Sequence, residues 1–363
     1  MREAAKTLGK KLIMLGSCFL TAVFFYVSIV TAETLPHLEK EILPELYISA
    51  DIDVPKELSG EMAKTINVKR KTFTVEQVEK ILWTGKKTVK RDIETDYQEA
   101  DIGRYEITTL YGTDDSFLDV GGAALTFYNS LYNNLCNSVY TNPMTSSYNL
   151  DKFTEQELEF MPRTECEEKI RDLLSLLGVS FSSDMRCYAL DAATLQNEER
   201  AIDVDGNRQE EMEKGIWTAE DECYYFQLSQ EFNGVNVFEN GYGDYFSGTG
   251  IPPTKIEVIY GSKGLVYLNI LNAYDTINGT EKSEKIQNID DLENELKKKY
   301  ELLIRSDCDK VTDIKMQYIP YNSDNYSFSF VPAWIVRIET PVEGMDNYTM
   351  DLLFHAITGK ELF

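Results

Sequence analysis

Ile314, Met316 and Tyr318 fall on one side of an extended backbone while Lys315 and Gln317 fall on the other, and Tyr348, Met350, Leu352, Phe354 and Ala356 repeat the pattern near the end of the chain. A period of two fits only a strand with one buried face, because successive side chains of a strand point to opposite sides of its sheet. The segment 290–304 has the other period. Leu292, Leu296, Tyr300 and Leu303 make one stripe, with Asp290, Asp291 and Glu293 early and Lys297, Lys298 and Lys299 late, the charge order that a helix dipole favours. One-sided strands beside a one-sided helix bury those sides against each other. The expected fold is therefore α+β, with antiparallel sheets each packed on an amphipathic helix.

Earlier segments carry the same signals. Leu46 to Val54 alternates and stops at Pro55. Thr74 and Gln77 form a capping-box pair ahead of Val75, Val78, Ile81 and Leu82. Thr84-Gly85 and the basic run Lys86, Lys87, Lys90, Arg91 close that helix, and the run reads as a solvated helix end. Tyr105 to Tyr111 reads as a strand ended at Gly112. Thr164 and Glu167 cap a helix carrying Ile170, Leu173, Leu174 and Leu177, and Gly178 stands where a C-terminal cap belongs. Met185–Leu190 and Cys223–Leu228 read as strands. Residues 193–215 are polar and read as a linker or long loop. Lys255–Tyr260 and Leu265–Leu271 flank Gly261-Ser262-Lys263-Gly264 as a hairpin. The expected organisation is 1–32 as a signal peptide or membrane anchor, 33–95 as a strand-and-helix segment, 96–215 as a first α+β unit and 216–363 as a second. The helix–strand pairs 164–177 with 184–190 and 290–304 with 312–319 read as one motif used twice.

Composition bounds the function. With 36 basic and 61 acidic side chains the formal charge is −25, which excludes binding nucleic acid through its phosphates. Only two histidines occur, His37 and His355, so multi-histidine metal sites are excluded, and a Ser-His-Asp or Cys-His site would need one of them. Arg2, Lys6, Lys10 and Lys11 precede an apolar run from Leu12 to Val30, the order of an export signal, with Val30-Thr31-Ala32 as a cleavage site before Glu33. At about 19 residues the run is also just long enough to remain as an anchor. Leu15-Gly16-Ser17-Cys18 offers a third route, lipidation at Cys18. Each places the rest of the chain outside the cytoplasm, touching the membrane through residues 12–30 alone. Cys136, Cys166, Cys187, Cys223 and Cys308 follow, an odd count that leaves at least one thiol unpaired, with Cys166 on the apolar face of its helix.

Two C-terminal motifs carry a family resemblance. Val331-Pro332-Ala333-Trp334-Ile335-Val336 enters a strand, and Ala356-Ile357-Thr358-Gly359-Lys360-Glu361 closes the chain in a tight turn. The pairing resembles the PepSY-like domains of bacterial extracytoplasmic proteins. The order of elements in 220–363 looks like the YycH/YycI-type accessory proteins of a cell-wall sensor kinase, and most like an uncharacterised clostridial family of lipoproteins or anchored proteins. The resemblance implies two PepSY-like units in tandem and a non-enzymatic, membrane-associated protein that binds and regulates a partner such as a sensor kinase or a peptidase. No catalytic, cofactor or metal residue is carried over. The residues themselves read structurally: Pro332 at a strand entry, Trp334 as core, and Gly359 supplying a positive φ.

Other candidates are weighed on their chemistry. Tyr242, Tyr245 and Phe246 lie on the glycine-rich loop 240–250, where exposed rings would contact a peptide or a sugar, and simple loop packing is the plainer account. Asp203-Val204-Asp205-Gly206-Asn207 starts like an EF-hand loop but has its glycine two positions early and Lys214 at the twelfth place, so a solvated turn is expected. His355 is expected on the surface, beside Asp351 and Leu353. Beside the tethered regulator two alternatives stay open, an exported binding protein for peptides or cell-wall fragments and a carboxylate-based hydrolase.

Overall fold

The computed structural model describes residues 36–99, 102–142, 147–203, 205–243, 250–303, 308–322, 328–342, 344 and 347–362. The apolar run 12–30, the cleavage position before Glu33, Cys18, Tyr245 and Phe246 lie outside the described residues. Three strands open the fold, β1 (His37–Leu43), β2 (Leu46–Asp53) and β3 (Met62–Arg70). The helix α1 (Val75–Leu82) starts behind Thr74, whose hydroxyl accepts the Gln77 amide at 3.4 Å. A meander follows, β4 (Thr88–Glu99), β5 (Gly103–Gly112), β6 (Phe117–Gly121) and β7 (Ala124–Tyr128). Then come α2 (Ser130–Val139), capped by Asn129, and the short pair β8 (Tyr140–Asn142) and β9 (Ser147–Tyr148).

The helix α3 (Arg163–Leu176) begins two residues earlier than a Thr164 cap would allow, because Pro162 is its N-cap and Glu157 accepts the Arg163 amide at 2.8 Å. Gly178 ends it at φ +66°, as expected. Next are β10 (Met185–Leu190) and α4 (Ala192–Glu198). This second helix falls inside the expected linker. Asp191 caps it through the Thr194 amide at 3.0 Å, and the loop after it is held by buried Glu199, which accepts from the Lys214 and Gly215 amides and the Trp217 indole at 2.6, 2.9 and 2.9 Å. The chain continues through β11 (Cys223–Leu228), the two-residue strands β12 (Glu231–Phe232) and β13 (Val235–Asn236), and the hairpin β14 (Lys255–Gly261) and β15 (Gly264–Leu271). It closes with β16 (Tyr274–Lys285), α5 (Ile289–Glu301), β17 (Asp309–Asn322), β18 (Phe328–Thr340) and β19 (Tyr348–His355).

Two sheets result. The first runs β1-β2-β17-β18-β3-β16, with β19 also on β18. Its pairs are antiparallel except β2 with β17, which is parallel. One face, with Ile314, Met316, Val336, Leu352 and Phe354, shares a core with Leu292, Leu296 and Tyr300 of α5. The second is antiparallel throughout, in the order β10-β11-β14-β15-β7-β6-β5-β4. Leu118, Leu125, Phe226, Val258 and Leu268 on one face meet Val78 and Leu82 of α1 and Ile170 and Leu174 of α3. The chain is thus an α+β fold of antiparallel sheets packed against helices. Sheet membership does not follow the boundaries expected at 95/96 and 215/216. The first sheet takes β1–β3 and β16–β19, and the second takes β4–β7, β10, β11, β14 and β15, while β8–β9 and β12–β13 are separate two-stranded pairs. Local periodicity says which face of a strand is buried; it says nothing about which distant strand lies beside it.

The insertion leaves and rejoins the first sheet at one neck. The Lys71 amide donates to the Ala273 carbonyl at 2.7 Å, and Arg70 pairs in register with Tyr274. Arg70, 6% exposed, forms an ion pair with Glu99 of β4.

The other face of the second sheet is not a plain apolar core. Asp92, Thr109, Asp119, Thr126, Asn269, Glu257, Gln227 and Arg186, one from each strand, stand in register as a polar row. Thr109 donates to Asp119 at 2.6 Å, Thr126 to Asn269 at 3.1 Å, and Asn269 and Tyr225 to the buried Glu257 at 3.1 and 2.9 Å. Neighbours in such a row satisfy one another, which is how a sheet can bury carboxylates and amides. The adjacent row is aromatic. Phe117 and Tyr128 stack at 4.6 Å, and Tyr132 of α2 lies flat on Tyr267 at 4.1 Å. These rings cover one another's faces.

Candidate functional site

A cleft of about 950 Å³ opens at one end of the second sheet, framed by α1, α3, the start of α2, the β14–β15 turn and the loop 214–221. Each frame element follows from a local signal. Thr84-Gly85 ends α1 and sends Lys86 back toward the sheet; Gly85 sits at φ +79°. Asn129 stops β7 and caps α2 through the Leu131 amide at 3.0 Å. The lining is apolar along Ile81, Leu131, Leu173, Tyr260 and Leu265, and Leu176, 65% exposed, stands at the edge.

Four lysines and four acids complete it: Lys86, Lys169, Lys214 and Lys263 against Asp114, Asp172, Glu220 and Asp221. The Lys86 ammonium contacts Asp114 and Ser116, both at 2.7 Å, and lies 5.6 Å from the Phe127 ring centre. Lys214 contacts Asp221 and the Ile216 carbonyl, both at 2.7 Å, over the Trp217 ring. Lys263 reaches Glu220 at 3.1 Å. The Lys86 hydrogen bond holds the Asp114 carboxyl below its usual range. Burial pushes Asp221 up, yet the Lys214 ammonium and the Thr218 amide and hydroxyl outweigh it and hold the carboxyl low. Carboxylates held low are fixed as anions, so neither can give up a proton as a general acid near neutral pH. The cleft is a charge-balanced, apolar-lined surface on a chain whose net charge is −25.

The expected solvated helix end is only partly one. Lys86 turns into the cleft, Lys90 pairs with Asp92 and Arg91 reaches Glu79 at 3.1 Å. Tyr242 is half-buried against both faces of the first sheet, and its hydroxyl donates to the Pro320 carbonyl. Burial pushes that phenol up. Asp203 accepts the Asp205 and Asn207 amides at 3.0 and 2.8 Å, an ordinary Asx turn, and no group of metal-ligating side chains converges among the described residues. The five cysteines are unbridged; burial pushes the Cys166 and Cys187 thiols up to about 12, which leaves them inert. Among the described residues no helix is long and apolar enough to cross a membrane. Periodicity could not find the cleft, whose walls come from six separated segments; the one local hint was a lysine directly after a helix-ending glycine.

His355 is half-buried rather than a surface group. Its Nδ1 accepts the Ile357 amide at 3.2 Å, and Tyr321 meets it edge-on. Burial holds its imidazole below the ordinary range, against an upward pull from Glu284. The unfolded chain therefore takes up this proton first as pH falls through about 6.5, and stability is lost from there down to the folded value. Denaturant midpoints at about pH 7.5 and 5.5 should fall further apart for the natural chain than for His355→Gln; equal differences would remove His355 from the acid response.

No protein-family model matches the chain, and no curated protein matches it. A crystal structure of an uncharacterised protein from Eubacterium rectale is similar, with a TM-score of 0.65 at 16% identity, covering 90% of this chain and 92% of that one. At that identity the likeness establishes the fold alone.

Proposed function

We propose that this is a non-enzymatic binding protein held at the outer face of a bacterial cell membrane through residues 12–30, which captures a segment of a partner polypeptide in the cleft beside α3. The observation that carries the reading is the cleft's composition. An apolar lining buries side chains of the segment, and four lysines offset four acids where the chain at large would repel an acidic surface. Asp114 and Asp221, held as anions, would not serve as the general acid of a hydrolase. Kinship with PepSY-like and YycH/YycI-type accessory proteins belongs to this proposal, with a sensor kinase or peptidase as partner. So does the tandem reading, for which α3 before β10 and α5 before β17 are the two helix–strand steps. Nucleic acid has no place in it.

The test is a mild-crosslink capture of the tagged full-length chain from native membranes. An integral protein recovered in near-equal amount, and lost with Leu176→Glu, supports the reading; Leu176 is exposed, so the substitution leaves the core intact. Recovery of the chain alone, or of the same partner with the variant, sinks it. The alternative, an exported protein that binds free peptides or cell-wall fragments, would appear as capture of small ligands without an integral protein.

A further inference from the structure

Among the described residues the strand β4 is an open edge of the second sheet, and nearly all of its residues are exposed. Unpaired edges are templates for another strand, and folded proteins commonly protect them with charge. Here the charges are sorted along the strand. Lys90 and Arg91 lie near its start, with Lys87 just before it, and Asp92, Glu94, Asp96 and Glu99 follow. Val89, Ile93 and Tyr97, 60%, 52% and 38% exposed, are interleaved. The remaining edges differ. β10 carries a bridge from Thr154 to Ala189, β1 is tied to α5 through Lys40 and Glu293, and on β16 Glu281, Lys282, Glu284 and Lys285 mix signs without polarity.

A strand that is basic in its first half and acidic in its second has one natural complement, itself reversed. Antiparallel pairing of two copies about a two-fold axis near Arg91 and Asp92 sets the basic half of each against the acidic half of the other. A parallel or unrelated edge would meet like charges along half its length. We infer that β4 is the seam of a symmetric dimer of this chain, joining two second sheets edge to edge. The paired stretch is roughly 25–30 Å long and places the dimer at the weak end of stable interfaces. It is independent of the cleft and stands whether or not the cleft holds a partner.

Charge exchange tests it on the full-length chain in mild detergent, with mass read by sedimentation at ~100 µM. Lys87→Glu/Lys90→Glu and Asp92→Lys/Glu94→Lys should each weaken self-association roughly 30-fold, and an equimolar mixture of the two should regain the dimer. The chain carrying all four substitutions should dimerise again. Circular dichroism of each variant alone separates misfolding from a lost seam, and the mixture cannot recover if either variant is unfolded. A natural chain that stays monomeric, a dimer indifferent to both variants, or folded variants whose mixture stays monomeric would overturn the inference.

Discussion

Replacing Trp334 with alanine should lower the free energy of unfolding by about 4 kcal/mol, the largest single loss expected in the first sheet. Trp334 is 4% exposed on β18, in register with Met316 of β17 on one side and Phe354 of β19 on the other. Its indole nitrogen donates to the Gln287 carbonyl at 3.3 Å, just before α5 begins. The side chain therefore joins three strands to the entry of the helix, and its removal leaves a cavity that none of the four can close alone. Trp334→Phe keeps most of the apolar volume and loses the hydrogen bond, and should cost about 1–2 kcal/mol. Urea midpoints of both variants check the order. Equal losses would place the stabilisation in the hydrogen bond rather than in the packing.

A comparable loss, about 3 kcal/mol, is expected from Gln230→Leu, for a different reason. Gln230 is 1% exposed, and its side-chain amide forms a reciprocal pair with the backbone of Tyr274, accepting its amide at 2.7 Å and donating to its carbonyl at 3.1 Å. A side chain from the loop after β11 thus completes the edge of β16 where the chain rejoins the first sheet. Leucine fills the space but strands a buried donor and acceptor, and that penalty exceeds the modest worth of the bonds themselves. Hydrogen exchange localises it. The Tyr274 amide should exchange much faster in the variant, while amides in the middle of β18 slow or quicken only with global stability. Unchanged protection at Tyr274 would mean that the Gln230 pair does not hold the neck.

How far the fold was legible depends on the range of each interaction. Most local signals were read correctly, the Thr164 cap and Leu303, exposed beyond the end of α5, being exceptions. The α5 stripe, the Thr74 cap, the positive φ of Gly178 and Gly359, and the β14–β15 hairpin all lie within a few residues of their cause. Errors arose where the cause was distant or the local chemistry weak. The helix α2 is rich in asparagine and serine, poor helix formers, and it stands because Leu135 and Val139 pack on the sheet beneath. The helix α4 is short and ends in a loop held by Glu199, whose three donors lie 15 to 18 residues away. Parallel pairing of β2 with β17 and insertion of the second sheet at Arg70 and Tyr274 are choices among distant partners that alternation does not encode. The cleft shares that origin. Lys86, Lys169, Lys214 and Lys263 look like scattered surface charges along the chain, and only the topology gathers them.

The most direct measurement is photo-crosslinking in native membranes, with a photoreactive residue at position 176 in the cleft and, as control, at position 348, an exposed position on β19 of the first sheet. The account expects a discrete adduct between position 176 and a polypeptide other than this chain, and none at 348. Adducts of equal yield at both positions, or none at 176, would contradict it.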